Sequence, residues 1–516
     1  MKVKLKDAYF DDTRILYIFK GILIGLLTGV VVSIFRLSIE FFSSWTVRFY
    51  EFAHKQPLWL LAWGALMLVF ALILSLLMKS EPNIKGSGIP QVEGQLKGAV
   101  TIKWFSVLWK KFIGGIIAVG SGLFLGREGP SIQLGAAIGQ GISEQLKSSR
   151  SEEKILISSG ASAGLAAAFN APIAGLLFVL EEVHHNFSPL VWLTAFSSAL
   201  TANFVSLYFF GLKPVLYLGK LPSLPLKYYG SLILLGIVLG ILGFVYQKVL
   251  LALPRYYSKL PIHPTFYGFV PFVLILPIGY FFPHFLGGGN EIIVNLGTSS
   301  LLPLVAIVGI FFLRFLFSMV SYGSGLPGGI FLPILSLGAL IGAIFGQILV
   351  TYFQMDPIFV KNFVIIAMAG YFTAIGKAPL TAIILVTEMV GSLNHLMPLG
   401  LVALIAYIIN DLLGGQPIYE SLLERLVKDT SPMIKGKKLM LDYPVTAESF
   451  LDGKFIRDIN WPKDMLLVSI RRGAKELFTH GDTVMHAGDI LVILVEEHNV
   501  EQIKKEIIKQ SSPNMR

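Results

Sequence analysis

The chain has 516 residues, of which 54% are hydrophobic and only 14% charged, whereas soluble domains carry about 25% charged residues. Water would not tolerate the apolar surface this composition exposes, so a large soluble enzyme is excluded and a polytopic membrane protein is predicted. The absence of cysteine removes disulfides, thiolate nucleophiles and cysteine-ligated metals, and the net charge of +10 lies in blocks flanking apolar runs, which argues against nucleic-acid binding.

Lys2, Lys4, Lys6 and Arg14 precede the first apolar run, and Lys428, Lys435, Lys437 and Lys438 follow the last. The positive-inside rule then places both termini in the cytoplasm of a multi-pass cell-membrane protein. The first run, Ile15 to Ile34, is too long for a signal-peptide core and reads as a retained span. About 20 apolar residues cross a bilayer. Spans are therefore expected at 15–46, 58–79, 105–125, 190–211, 226–252, 266–285, 301–321, 333–352 and 396–413. Stretches 86–98, 126–142, 160–182, 323–332, 357–375 and 378–390 are too short, or too interrupted by Gly and Pro, to span simply. Such breaks survive in lipid only where their backbone lines a protein cavity. Paired breaks in two halves point to a substrate site.

The halves do match. Residues 166–182 (AAAFNAPIAGLLFVLEE) align with 373–389 (TAIGKAPLTAIILVTEM) at an offset of 207, with Pro172/Pro379 and Glu181/Glu388 coinciding. Residues 130–139 (PSIQLGAAIG) align with 333–342 (PILSLGALIG) at 203, with six of ten positions identical. The chain reads as a tandem repeat, about 15–211 and 226–413. Beyond Gly415 the pattern changes, and 436–508 read as a small cytoplasmic α/β domain. Strands are expected at Met465–Ile470, Lys475–Phe478 and Asp489–Val495, and a helix at Asn499–Lys509. The remaining pieces are an N-terminal segment 1–14, a membrane domain 15–428, a linker 429–435 and a tail 509–516.

Three segments share one design, small residues and then a proline that opens a helix: GSGIP (86–90), GREGP (126–130) and GSGLPGGIFLP (323–333). A helix N-terminus carries about half a positive charge and several amide donors without partners. Glycine lets an anion approach the backbone, and proline removes a donor the first turn does not need. Converging ends would hold an anion without a full cation, whose attraction at low dielectric would hinder release.

Glu128 lies inside GREGP, and an ionised carboxylate in a membrane is functional by default. At a helix N-terminus it mimics the anion, filling the site when ionised and leaving it when protonated. A salt bridge to Arg127 is the bland alternative, weakened because adjacent helical residues face apart. Glu181 and Glu182 end an apolar stretch. Glu181 recurs as Glu388 and is the structural partner, whereas Glu182 has no counterpart (Met389) and is the candidate for proton exchange with the cytoplasm. Tyr419 in GGQPIY offers a neutral hydroxyl donor. His184 and His185 have no ligand at i+4, so no metal is expected. No GxSxG elbow or Walker loop appears, so no enzyme and no cofactor are expected.

Together with AAAFNAPIAGLLFVLEE, KAPLTAIILVTEM (377–389) and GGQPIY (414–419), these motifs resemble the CLC chloride channel and transporter family over roughly 15–428. The resemblance implies an all-α polytopic membrane fold of two inverted repeats, and a homodimer with an anion pathway in each subunit. It implies chloride contacts from the Ser87 hydroxyl and Gly88, from the backbone amides of Ile330 and Phe331, and from Tyr419. Glu128 matches the gating glutamate and Glu182 the internal proton-transfer glutamate of the family's exchangers, so chloride–proton antiport is expected. A passive voltage- or ligand-gated chloride channel is the alternative. A cation-transport subunit is disfavoured because no TVGYG-like filter is present. LLVSIRRG (466–473) and HGDTVMHAGDILVIL (480–494) resemble the C-terminal subdomain of RCK regulators of potassium transport. Some of these bind cyclic dinucleotides, so a cyclic dinucleotide or other small ligand is a candidate partner. Phe478, Thr479 and His480 stand where a proline is usual, which leaves a ligand-free dimerisation module as the other reading.

Overall fold

The computed structural model describes residues 12–184, 188–219, 221–298, 302–430, 438–446, 449–462, 464–473, 475–496, 503–504 and 506–508. His185, Lys2, Lys4, Lys6, Lys435 and Lys437 lie outside them, as do residues 431–435 of the expected linker, the tail and part of the expected last helix. The chain divides into two compact units, Met1–Asp429 and Thr430–Arg516.

The first unit is helical throughout. Its first half contains α1 (Asp12–Lys55), α2 (Trp59–Ser80), α3 (Ile89–Leu96), α4 (Trp104–Gly120), α5 (Glu128–Gln145), α6 (Arg150–Phe169), α7 (Pro172–Phe178) and α8 (Pro189–Phe210). The second repeats the order with α9 (Tyr229–Tyr257), α10 (Phe269–Phe281), α11 (Asn290–Thr298), α12 (Leu304–Gly323), α13 (Phe331–Phe353), α14 (Val360–Gly376), α15 (Pro379–Val390) and α16 (Leu396–Leu412). Helix α17 (Ile418–Thr430) follows. Among the described residues, eight helical segments are long and apolar enough to cross a membrane. One of them, Pro357–Gly376, was expected to be broken. Its proline sits in a 3₁₀ turn that merely opens α14, where a missing amide costs nothing. The expected spans at 105–125 and 396–413 are helices of only 17 residues.

Side chains fix the relation between the halves. The Glu181 carboxylate, just past α7, accepts from the amides of Leu380 (3.2 Å) and Thr381 (2.8 Å) at the start of α15. The Glu388 carboxylate on α15 accepts from Ile173 (3.2 Å) and Ala174 (2.8 Å) at the start of α7. Each helix's C-terminal end therefore reaches the other's N-terminus, so equivalent helices run antiparallel and the repeats are inverted. Each carboxylate also satisfies two donors at a helix start that has no intrahelical acceptor for them.

Within each half the backbones touch. A Cβ on Gly135 of α5 would strike the carbonyl of Gly160 on α6, and one on Gly342 of α13 would strike the carbonyl of Phe363 on α14. Lipid tails are as apolar as side chains, so helices in a membrane associate through such close packing rather than through a hydrophobic drive.

The second unit is a four-stranded antiparallel sheet in the order β1-β4-β2-β3, with β1 Lys438–Pro444, β2 Met465–Arg472, β3 Lys475–Phe478 and β4 Ile490–Glu496. Ile470, Leu491, Ile493, Met485 and Ile507 form its core. Arg472 makes two bonds of 2.8 Å to the Asp489 carboxylate, which also accepts from the His486 amide.

Candidate functional site

The three Gly-Pro segments come together. The Gly86 amide donates to the Gly325 carbonyl (3.1 Å), and the Gly328 amide returns a bond to Gly86 (3.0 Å). Gly126 and Gly329 exchange two bonds of 2.7 Å as an antiparallel bridge. A Cβ on Gly129 would lie 2.7 Å from the Ser87 carbonyl, so α5 can begin against the Ser87 loop only with glycine there. The N-termini of α3, α5 and α13 thus share one buried locus. Gly88 (φ +92°) turns the chain into α3 in the left-handed region that suits glycine.

Ser87 is buried and its hydroxyl lies 3.3 Å from the Ile89 amide, with Tyr322 lining the same cleft. Ile330 and Phe331 open α13, where amides lack intrahelical acceptors. The Phe331 ring packs against Phe372 (4.4 Å), Phe169 (5.4 Å) and Phe178 (5.9 Å). Phe178 meets the ring of Tyr419 edge-on at 6.3 Å. Tyr419, in the first turn of α17, is 1% exposed and its hydroxyl has no hydrogen-bond partner among the described residues. A buried donor left unmade costs about 1–3 kcal/mol, a cost the Tyr246 and Tyr371 hydroxyls share.

Glu128 is fully buried at the start of α5. Its oxygens face the amides of Glu128 and Leu332 without settling into hydrogen-bond geometry with either. It therefore lies between the first turns of α5 and α13. Arg127 makes only a long ion pair with it and no hydrogen bond. The Arg127 Nε is 3.9 Å from Oε1, and Nη1 instead donates to Glu40 on α1 at 2.7 Å. Glu182 is elsewhere. It sits on a π-helical turn after α7, 5% exposed, in electrostatic range of Glu93, Glu181, Glu420 and Lys97. Lys97 bonds Glu93 at 2.7 Å and reaches Glu420 at 3.4 Å. Tyr419 is close enough to feel both Glu182 and Glu128.

Two clefts approach the locus. One, of about 520 Å³, is lined by Glu40, Arg48, Arg127, His284, Gly289 and Leu332 among others. The other, of about 240 Å³, is lined by Lys85, Ser87, Gln91, Tyr322 and Arg425 among others. The first reaches the Arg127 side and the second the Ser87 side.

Sequence reasoning missed two buried cations. Lys111 on α4 donates to the carbonyls of Ile84 (2.9 Å) and Gly86 (2.7 Å). Arg314 on α12 donates to Phe285 and Gly287, each at 3.0 Å. Lys111 puts an amine donor behind the Ser87 loop, so helix ends and hydroxyls are not the only polar groups there. An ionisable residue inside an apolar run was the signal that marked both. Among the described residues no cluster of three His, Cys, Asp or Glu is arranged to hold a metal.

Residues 69–411 match the family model for voltage gated chloride channels, and residues 440–508 match the TrkA-C domain. The chain is 34% identical over 435 residues to the H(+)/Cl(-) exchange transporter ClcA of Vibrio cholerae, covering 81% of this chain and 91% of that protein. It is 32% identical over 430 residues to ClcA of Salmonella schwarzengrund, covering 80% and 89%. Among solved structures, a slow cyanobacterial Cl-/H+ antiporter superposes with a TM-score of 0.77 at 30% identity, over 80% of this chain and 98% of that one. A eukaryotic CLC transporter superposes at 0.67 with 19% identity, over 80% and 74%, a likeness of fold alone.

Proposed function

The chain belongs to the voltage gated chloride channel family, and from that premise we propose that it exchanges chloride for protons across the cell membrane. Relatives named as exchangers over nine-tenths of their length support the reaction class. Chloride binds at the meeting of α3, α5 and α13, with donors from Ser87, Gly88, the amides of Ile330 and Phe331, and the Tyr419 hydroxyl. The protein exists as a homodimer, and because one chain supplies every site residue, each subunit carries its own pathway. The Ser87 cleft faces the cytoplasm, as do both termini, and the Arg127 cleft faces outside.

The observation that carries this reading is the place of Glu128. Burying an ionised carboxylate costs several kcal/mol unless donors meet it. Here the available donors are helix-start amides, the same kind that would hold chloride. Ionised, Glu128 competes for the anion site. Protonated, it loses its attraction to those amides and gives way. A proton that reaches Glu128 from outside thus admits chloride, and Glu182 passes that proton to the cytoplasm. Chloride and proton movement are coupled because the two ligands contend for one place.

The test is flux in proteoliposomes of purified chain. An imposed chloride gradient should drive protons uphill. Chloride movement that carries no protons would reduce the protein to a passive channel. Glu128→Ala should pass chloride and lose the proton flux, and coupling that survives this change removes Glu128 from its role.

A further inference from the structure

We propose that Glu40 is a positioning residue that keeps Arg127 off Glu128, and so sets the pH at which the gate opens. The inference rests on Glu128 being the gate. Arg127 is next to Glu128 in sequence, and its Nε stands 3.9 Å from the Glu128 carboxylate. That gap is inside ion-pair range and outside a hydrogen bond. The guanidinium is instead turned toward α1, where Nη1 donates to Glu40 Oε1 at 2.7 Å. The same oxygen accepts from Arg36 Nε at 3.0 Å. One carboxylate thus holds two guanidiniums, Arg36 stacked 3.6 Å over the Phe210 ring and Arg127 with its side chain only 11% exposed. Among the described residues, neither the buried Arg127 Nε nor either buried Glu128 oxygen has a hydrogen-bond partner. Partners so close and both unmade indicate that something else directs the arginine, and Glu40 is the group bonded to it.

The other charged groups near Glu128 do not supply this restraint. Arg48, Glu51, His284 and Glu291 line the same cleft, with His284 3.7 Å from Glu51. Lys111 and Arg314 are engaged by backbone carbonyls. The first turns of α13 bring no ionisable side chain.

Neutralising Glu40 leaves Arg36 and Arg127 uncompensated. Arg127 then closes on Glu128 and favours its ionised form, because an opposite charge in contact stabilises a carboxylate. The gate accepts its proton only at lower pH, and chloride flux, which rises as Glu128 is protonated, shifts toward acid.

The experiment is the pH profile of chloride flux for the full chain in proteoliposomes. Glu40→Gln should lower the half-activation pH by about 1 unit, the low end of what a new contact with an opposite charge produces. Arg127→Gln should erase the effect, so that the double variant tracks Arg127→Gln alone. Should Glu40→Gln fail to fold, Glu40→Asp carries the test, since its shorter reach loosens Arg127 and shifts the profile the same way by less. A Glu40→Gln or Glu40→Asp profile that overlays the wild type overturns the proposal, as does a shift that persists with Arg127 removed. A wild-type profile that is flat with pH overturns the gate reading itself, and this inference with it.

Discussion

Lys111 and Arg314 stand 203 positions apart, the same offset as Gly126 and Gly329, and each directs its donors at two backbone carbonyls of the loop before a short helix. The duplication therefore preserved a buried cation behind a loop in each half, not only the Gly and Pro landmarks. In the first half that loop carries Ser87. At an effective dielectric near 20, a protonated amine about 8 Å from an anion would contribute about 2 kcal/mol, which its two carbonyl partners cut to about half. Lys111→Met should weaken chloride binding roughly fivefold in calorimetry. An unchanged affinity would show that the two carbonyls neutralise the cation locally.

Tyr419 offers a donor with no partner among the described residues. A neutral hydrogen bond contributes about 0.5–1.5 kcal/mol. Tyr419→Phe should therefore raise the chloride Kd by roughly three- to tenfold. Without chloride its melting temperature should not fall, because no protein contact is lost. A drop in chloride-free stability would mean the hydroxyl has a structural partner after all.

Two adjacent glutamates should behave differently. Glu181 caps α15 through two amides and the Thr381 hydroxyl. Losing such a cap costs about 1–2 kcal/mol. Glu181→Ala should lower thermal stability in detergent and leave the proton-to-chloride ratio alone. Glu182→Gln should keep stability and chloride movement and lose proton flux. The reverse pattern would exchange their roles.

In the C-terminal unit, burial works to raise the Asp489 carboxyl, but the Arg472 hydrogen bonds, the His486 amide and the Arg472 charge outweigh it and hold the group below its ordinary value. A carboxylate depressed on folding adds stability that is fully present above its unfolded pKa of about 3.9. That stability drains away as pH falls through the folded value. Arg472 is partly exposed, so solvent screens part of the gain. Asp489→Asn should make this unit more protease-sensitive at pH 7, with the difference from wild type shrinking below about pH 4. Pulse proteolysis of the full chain reads both.

The fold was legible where backbone chemistry writes itself into composition. GSGIP, GREGP and GSGLPGGIFLP are conspicuous in an apolar sequence because Gly and Pro there must be compensated. The recurrence of 130–139 at 333–342 and of 166–182 at 373–389 exposed the duplication, and the Glu181/Glu388 match marked Glu181 as a structural residue. The inversion of the repeats came only with the family resemblance, because identical letters do not record direction. Helix α14 was misjudged because Pro357 reads as a break until it is seen to precede the helix. Strand β1 went unseen, since Leu439, Leu441 and Tyr443 alternate too briefly between a lysine-glycine cluster and Pro444. Glu40 could not be matched to Arg127 at all. They are 87 positions apart on different helices, and no local spacing encodes a contact made by packing.

The reciprocal carboxylates have a mechanical consequence. Many transporters alternate by tilting one bundle against the other. Here that motion would strip four amides from Glu181 and Glu388 at once and leave two helix starts without their caps. Halves cross-stitched in this way, each with its own backbones in contact, favour a scaffold that stays still while side chains move by a few ångströms.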